Sequence, residues 1–190
     1  MKLSILILSL PSRRKTFLNE LLDELEDQAI NYPEVEILVF YDNKKRSVGQ
    51  KRDGVLSLAK GDYITFIDDD DTITEDYVKS IIDCLNQNPE TDCVVYDTIC
   101  TIDGGAGKHC KYGTEYEYCD TNTEGFWTGK PAHTMVYKRE LVRNISFGDA
   151  QFGEDMHWVS QAWPLITHQS RIDKVLYYYK FNSKTTETRN

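Results

Sequence analysis

A chain of 190 residues with a formal charge of −9, 40% hydrophobic and 28% charged residues is long enough for one domain with a buried core and short for two. This composition excludes a disordered chain, and no apolar run approaches the roughly 20 residues that cross a bilayer. The acidic balance also argues against a nucleic-acid backbone as main partner, since such binding needs Lys and Arg to neutralise phosphates.

Leu3 to Leu10 has only signal-peptide length, and Pro11-Ser-Arg-Arg-Lys15 follows it where a cleavage site needs small residues. It reads as a buried first strand. From Lys15 to Ala29, Phe17, Leu18, Leu21, Leu22 and Leu25 recur at spacings of three and four, the pattern of an amphipathic helix lying on a sheet. Glu36 to Tyr41 is a second short strand, ending in Asp42-Asn43. Strand, helix, strand in this rhythm implies a right-handed parallel crossover. The unit repeats, with a helix over Val48 to Lys60 closed by Gly61 and a strand from Tyr63 to Ile67. Tyr77, Val78, Ile81, Ile82 and Leu85 mark another helix, stopped near Asn88-Pro89. Asp92 to Ile102 reads as a strand.

The glycines of Asp103-Gly-Gly-Ala-Gly107 lack the Gly-x-Gly-x-x-Gly spacing and no helix pattern follows, which argues against a dinucleotide site. Residues 108 to 126 read as exposed strands or a hairpin, Ala132 to Tyr137 as a strand and Lys138 to Arg143 as a short helix. Gly153-Glu-Asp155 opens a helix with Met156, Val159, Ala162 and Trp163 inward, ended by Pro164. Arg171 to Phe181 is a last Tyr-rich strand, followed by a polar tail. Five cysteines, Cys84, Cys93, Cys100, Cys110 and Cys119, stand at wide spacings without a Cys-x-x-Cys pair. Reduced thiols in a cytoplasmic compartment fit them better than disulfides or a zinc site.

The third strand delivers four consecutive carboxylates, Asp68 to Asp71, at its carboxyl edge. A solvated acidic turn capping the next helix is the plainer reading of such a run. Open α/β sheets, however, bind ligands beyond the carboxyl ends of their strands, and hard oxygen donors suit Mg²⁺ or Mn²⁺. Position favours the metal reading.

Val48-Gly-Gln-Lys-Arg-Asp-Gly-Val-Leu-Ser-Leu-Ala-Lys-Gly-Asp-Tyr63, running on to Phe66-Ile-Asp-Asp-Asp-Asp71, resembles family-2 glycosyltransferases. Those enzymes carry Ala-Arg-Asn-x-Gly, a helix, Ala-x-Gly-Glu-Tyr-Ile and then Phe-Leu-Asp-x-Asp-Asp. Arg52 falls on the Arg, and Asp68, Asp70 and Asp71 on the three acids, while Lys51, Asp53 and Val55 depart from the pattern. The resemblance implies the glycosyltransferase type-A fold, a Rossmann-like α/β sandwich with a mostly parallel sheet and a small antiparallel part. It further implies that Pro11, Ser12 and Arg13 form a nucleotide-contacting loop, that Asp42 meets the uracil ring, and that Asp155 is the base of an inverting transfer.

Asp70 is the expected metal contact, and Asp68, two residues earlier, reaches the ribose or shares the metal. Asp69 alternates away from both; it belongs to the nucleotide-sugar side or is merely solvated. Arg13, Arg14, Lys51, Arg52, Arg171 and Lys180 could each pair with diphosphate, and Arg52 is the expected partner. Trp127, Glu154 and His157 are candidates for the acceptor side, with a core role the commoner outcome for a Trp. His157 or His168 is a candidate third metal ligand, and His133 and His109 read as structural or exposed. Residues 1 to about 100 would hold nucleotide and metal, and the remainder would build the acceptor half of one domain. The function expected is metal-dependent, inverting transfer of a sugar from a UDP-sugar to a glycan or other hydroxyl acceptor. A nucleotidyltransferase and a non-catalytic sugar-nucleotide or partner-binding module are the alternatives; the first generally needs a Gly-rich loop, which Leu10-Pro-Ser-Arg-Arg14 lacks.

Overall fold

The computed structural model describes residues 1–117 and 125–184. Cys119, part of the expected 108 to 126 hairpin and the end of the polar tail lie outside the described residues. In chain order the elements are β1 (Leu3–Ser9), α1 (Asn19–Ala29), β2 (Val35–Tyr41), α2 (Val48–Leu58), β3 (Tyr63–Asp68), β4 (Thr72–Ile73), α3 (Tyr77–Gln87) and β5 (Cys93–Ile102). There follow β6 (Lys108–Tyr112), β7 (Trp127–Gly129), β8 (Val136–Lys138), α4 (Arg139–Val142), α5 (Glu154–Ala162) and β9 (Gln169–Phe181).

The strands join in the order β2-β1-β3-β8-β5-β6-β7, and β9 pairs with both β4 and β5. β1 runs parallel to β2 and to β3, as the repeated crossover predicts. Among the described residues, parallel pairing continues in β5 with β9 and β6 with β7, while β8 pairs antiparallel with both β3 and β5. The antiparallel part is therefore larger than expected, because a strand from the second half is inserted into the middle of the sheet. One sheet runs through both halves.

Leu3, Ile5, Leu6 and Ile7 of β1 and Ile64, Phe66 and Ile67 of β3 are buried almost completely, as strands covered on both faces must be. The chain goes from β1 to β2 in one direction and from β2 to β3 in the other. Right-handed crossovers then put α1 and α2 on opposite faces, and α1 accordingly meets α3 whereas α2 meets α5. The reversal lies between β1 and β3, which opens a crevice at their carboxyl ends.

Two boundaries differ from the sequence reading. The helix expected from Lys15 begins as a 3-10 turn at Pro11–Arg13 and a wide turn at Arg14–Leu18 before α1 proper. The strand expected from Ala132 begins only at Val136, since residues 131–135 form a turn held by side-chain hydroxyls. Tyr137 donates its hydroxyl to the Pro131 carbonyl at 2.8 Å, and Thr65 and Tyr96 both donate to the Thr134 carbonyl.

Helix α2 docks closely on the loop that leads to α5. Ser47 caps it by accepting from the Gln50 N–H, and the Gly49 N–H donates to the Ala150 carbonyl at 3.0 Å. A Cβ on Gly49 would stand 2.1 Å from the Gly148 carbonyl oxygen, backbone that has little room to yield. Gly49→Ala is therefore expected to destabilise the fold by about 1–3 kcal/mol through overpacking, or roughly 3–10 °C in thermal midpoint for a chain of this size. Thermal unfolding followed by circular dichroism checks this; an unchanged midpoint would show that the loop shifts freely.

Candidate active site

A cleft of about 490 Å³ opens at the carboxyl ends of β1 and β3. Its walls include Ser9 and Arg13 after β1, Lys51 and Arg52 of α2, and Asp68, Asp69 and Asp70 at the end of β3. His133, Glu154, Asp155, Tyr177, Tyr179 and Lys180 come to it from the second half. The sequence reading named most of the first group and, among the basic residues that could pair with diphosphate, Lys180; Ser9, His133, Tyr177 and Tyr179 had no place in it as site residues.

Each acid of the run has a different partner. Asp68 Oδ1 accepts from Arg52 Nη2 at 3.0 Å, and the same guanidinium donates through Nε to Glu154 Oε1 at 3.2 Å. The rings of Phe66 and Phe147 flank Arg52 at 5.2 and 5.8 Å, and Phe147 stacks in turn on buried Trp158. This aromatic floor fixes the guanidinium between its two carboxylates. Burial opposes the Arg52 charge, yet Asp68 and Glu154 outweigh it and raise the pKa. Burial also opposes the Asp68 charge, but Arg52 and His133 hold that carboxyl far below the usual range.

Asp69 is buried instead of solvated, and this corrects the expectation for it: Ser9 Oγ donates to it at 2.6 Å and Arg13 Nη2 stands 2.9 Å away. The same Arg13 nitrogen lies 2.5 Å from Asp70 Oδ2. Burial raises Asp69 to about 6 despite Arg13 and Ser9, and burial raises Asp70 as well. Asp71 faces away from the cleft, accepting from the Tyr177 hydroxyl at 2.7 Å and the Lys180 N–H at 2.7 Å. Burial, with the Asp68 charge adding to it, holds Asp71 well above the normal carboxylate range. It is an anchor for β9.

Asp155 stands at the start of α5, after Gly153, which takes a left-handed conformation (φ 72°) to turn the chain into the helix. Its Oδ1 accepts the Met156 N–H at 2.8 Å. Its Oδ2 lies 3.7 Å from His133 Nδ1, and His133 Nε2 lies 3.5 Å from Asp68 Oδ2. Charged and polar groups thus follow one another in the order Glu154, Arg52, Asp68, His133, Asp155, hydrogen-bonded through Arg52 and approaching within 3.5–3.7 Å at His133, and the series closes on adjacent residues of α5.

The other expected site residues divide. Pro11 and Ser12 are exposed on the turn that carries Arg13 and do not line the cleft. Asp42 stands beside it, shielded, with Lys51 Nζ at 3.8 Å and Arg46 Nη1 at 3.7 Å. Glu154, expected on the acceptor side, is buried against Arg52 instead. Arg52, expected to meet diphosphate, is occupied by Asp68 and Glu154. Trp127 sits on β7 opposite Cys110 and away from the cleft wall. His157 is exposed and contacts Gln161, one turn along α5, and His168 is bonded to Thr167. Neither lines the cleft. Among the described residues no three His, Cys, Asp or Glu side chains converge as a ready-made metal cage, and no helix is long and apolar enough to cross a membrane.

Comparison with known proteins gives the same outline. Among solved structures, the S. aureus TarS 1-349 fragment, crystallised with UDP-GlcNAc, superposes with a TM-score of 0.75 at 18% identity over 100% of this chain and 61% of its own. Glucosyl-3-phosphoglycerate synthase from Mycobacterium tuberculosis, in complex with Mn²⁺, UDP-glucose and phosphoglyceric acid, gives 0.55 at 13% identity, covering 91% of this chain and 70% of that one. Mannosyl-3-phosphoglycerate synthase from Rubrobacter xylanophilus gives 0.56 at 15%, covering 92% and 67%. The chain thus spans about three fifths of the TarS fragment. At these identities the likeness establishes the glycosyltransferase type-A fold. No curated protein sequence matches. The sequence profile described as Glycosyl transferase family 2 matches residues 20–146, more than half of the chain, and the chain belongs to that family.

Proposed function

We propose that the protein is an inverting glycosyltransferase that moves a sugar from a UDP-sugar to an acceptor hydroxyl with the help of Mn²⁺ or Mg²⁺. The observation that carries this reading is one cleft lined both by the acids of β3 and by Asp155 of α5, with the His133 imidazole between Asp68 and Asp155. Family membership and the UDP-sugars named for two of the similar structures support the donor class.

In this reading Asp155 takes the proton from the acceptor hydroxyl. Its side chain is 38% exposed, so an acceptor reaches it, and attack from that side on a donor held by β3 inverts the anomeric centre. Arg52, held in place by Glu154, and His133 keep Asp68 ionised. Arg13 serves the diphosphate end and Asp42 the base end, with Pro11 and Ser12 on the rim. Residues 1 to about 100 supply the donor side, and the remainder supplies Asp155 and the acceptor side.

The donor set fits a hard cation. Mg²⁺ and Mn²⁺ are commonly held by one or two carboxylates plus the substrate's own phosphates instead of a full protein cage, and Asp70 with Asp68 would provide those oxygens. A bound divalent ion supplies charge stabilisation for the leaving diphosphate.

Two experiments test the reading. The protein is incubated with Mn²⁺ and a panel of UDP-sugars, with UDP release and UDP binding measured. Turnover with at least one donor is expected, falling by about tenfold or more on chelation of the metal; neither release nor binding across the panel would refute the assignment. In the second, Asp155→Asn is expected to lower kcat by about 10²–10⁴-fold with little loss of donor affinity. Asp70→Ala is expected to weaken metal-dependent UDP binding measured by calorimetry, and a fully active variant at either position would remove that residue's role.

A further inference from the structure

His133 is 9% exposed, and its Nε2 is shielded from solvent without a hydrogen-bond partner. A histidine buried only for packing commonly finds a backbone carbonyl. Here both ring nitrogens face carboxylates, and the ring lines the cleft. A neutral imidazole carries one N–H and one lone pair, so in either tautomer it aims its N–H at Asp68 or at Asp155. The ring is also held from behind. The Thr134 carbonyl next to it accepts two buried hydroxyls, Thr65 Oγ1 and Tyr96 Oη, and Phe66 lies 6.3 Å away. Asp155, by contrast, is partly exposed on the first turn of a helix, where its carboxylate accepts the Met156 N–H next to it.

We propose that His133 is a positioning residue for the transfer: its ring, fixed by the 131–135 turn, sets the aim of Asp155 relative to the donor-side carboxylate Asp68. It acts through Asp155 and makes no bond to the reacting atoms. This inference rests on the reading of Asp155 as base. It needs an acid at 155 and a nitrogen donor at the Nδ1 position of residue 133.

The test uses the full chain with Mn²⁺ and the UDP-sugar that turns over in the panel, followed by UDP release, with UDP affinity measured in parallel. His133→Ala is expected to lower kcat by about 10- to 100-fold, the usual cost of losing an orienting partner, while UDP affinity moves less than about threefold. His133→Asn places an amide N–H near the Nδ1 position and is expected to recover most of the rate; His133→Gln reaches the Nε2 position and is not. With Asp155→Asn already present, His133→Ala is expected to change kcat by less than about twofold, because two residues acting as one unit are not additive.

A His133→Ala enzyme with unchanged kcat overturns the proposal. So does a full multiplicative loss in the double variant, or recovery by Gln equal to that by Asn. If His133→Ala fails to fold, the contrast between Asn and Gln decides alone. A wild-type protein that neither binds UDP nor releases it removes the glycosyltransferase reading and this inference with it; an active wild type indifferent to all His133 variants removes only the inference.

Discussion

Four carboxylates in a row at the end of one strand set the terms for the structure around them. Two unit charges about 4 Å apart repel by about 4 kcal/mol at the effective dielectric of a protein surface, so a half-buried run of four needs separate compensation for each. Asp68 is answered by Arg52 of α2 and His133 of the 131–135 turn. Asp69 is answered by Ser9 at the end of β1 and Arg13 beyond it, and Asp70 by the same arginine. Asp71 is answered by the hydroxyl of Tyr177 and the N–H of Lys180, both on β9. Segments far apart in sequence must converge before the run is tolerable.

The division of labour follows from the geometry of a strand end. Asp71, past the strand proper, turns away from the cleft and draws in the chain's last strand. Tyr177 strengthens this link, since its hydroxyl donates to Asp71 and accepts the Asp68 N–H at 3.1 Å. The short β4 then pairs with β9 through Thr72 and Ile73. A residue that fits a family motif can thus serve the fold while its neighbours one and three places earlier face the ligand space. Asp69 shows the converse. It lines the same cleft and shares Arg13 with Asp70, yet its carboxylate is buried beside Ser9.

The first half of the fold was legible because its signals are local. Apolar periodicity marks β1, α1, β2, β3, α3 and β5 to within a few residues, and strand-helix-strand order implies the parallel pairing of β1 with its neighbours. The insertion of β8 between β3 and β5 was not legible, since three residues carry too little pattern to choose a partner. In the site, Asp68, Asp70, Arg52 and Asp155 were visible through motif spacing. His133 was not: a single histidine after Pro131-Ala132 has no spacing signature, and its importance arises only when the turn brings it between two acids. Glu154 was seen, but its pairing with Arg52 was not, because that arginine lies 102 positions away.

Helix α2 shows how function distorts a local pattern. Its buried face includes Lys51 and Arg52 beside Val55 and Leu56, so its amphipathicity is weak even though it packs tightly. Those two cations are already committed, Lys51 beside Asp42 and Arg52 between Asp68 and Glu154. Arg13 is likewise engaged with Asp69 and Asp70. The basic residues that line the cleft are therefore nearly matched by acids that line it or stand behind it. An entering diphosphate brings negative charge that this balance does not cover, and burying uncompensated charge is costly. Compensation can come from an arginine that leaves its carboxylates, from Lys44, Arg46 or Lys180, which also line the cleft, or from positive charge that arrives with the ligand. The last course leaves the carboxylate pairs intact, and it is the one the proposed divalent cation takes.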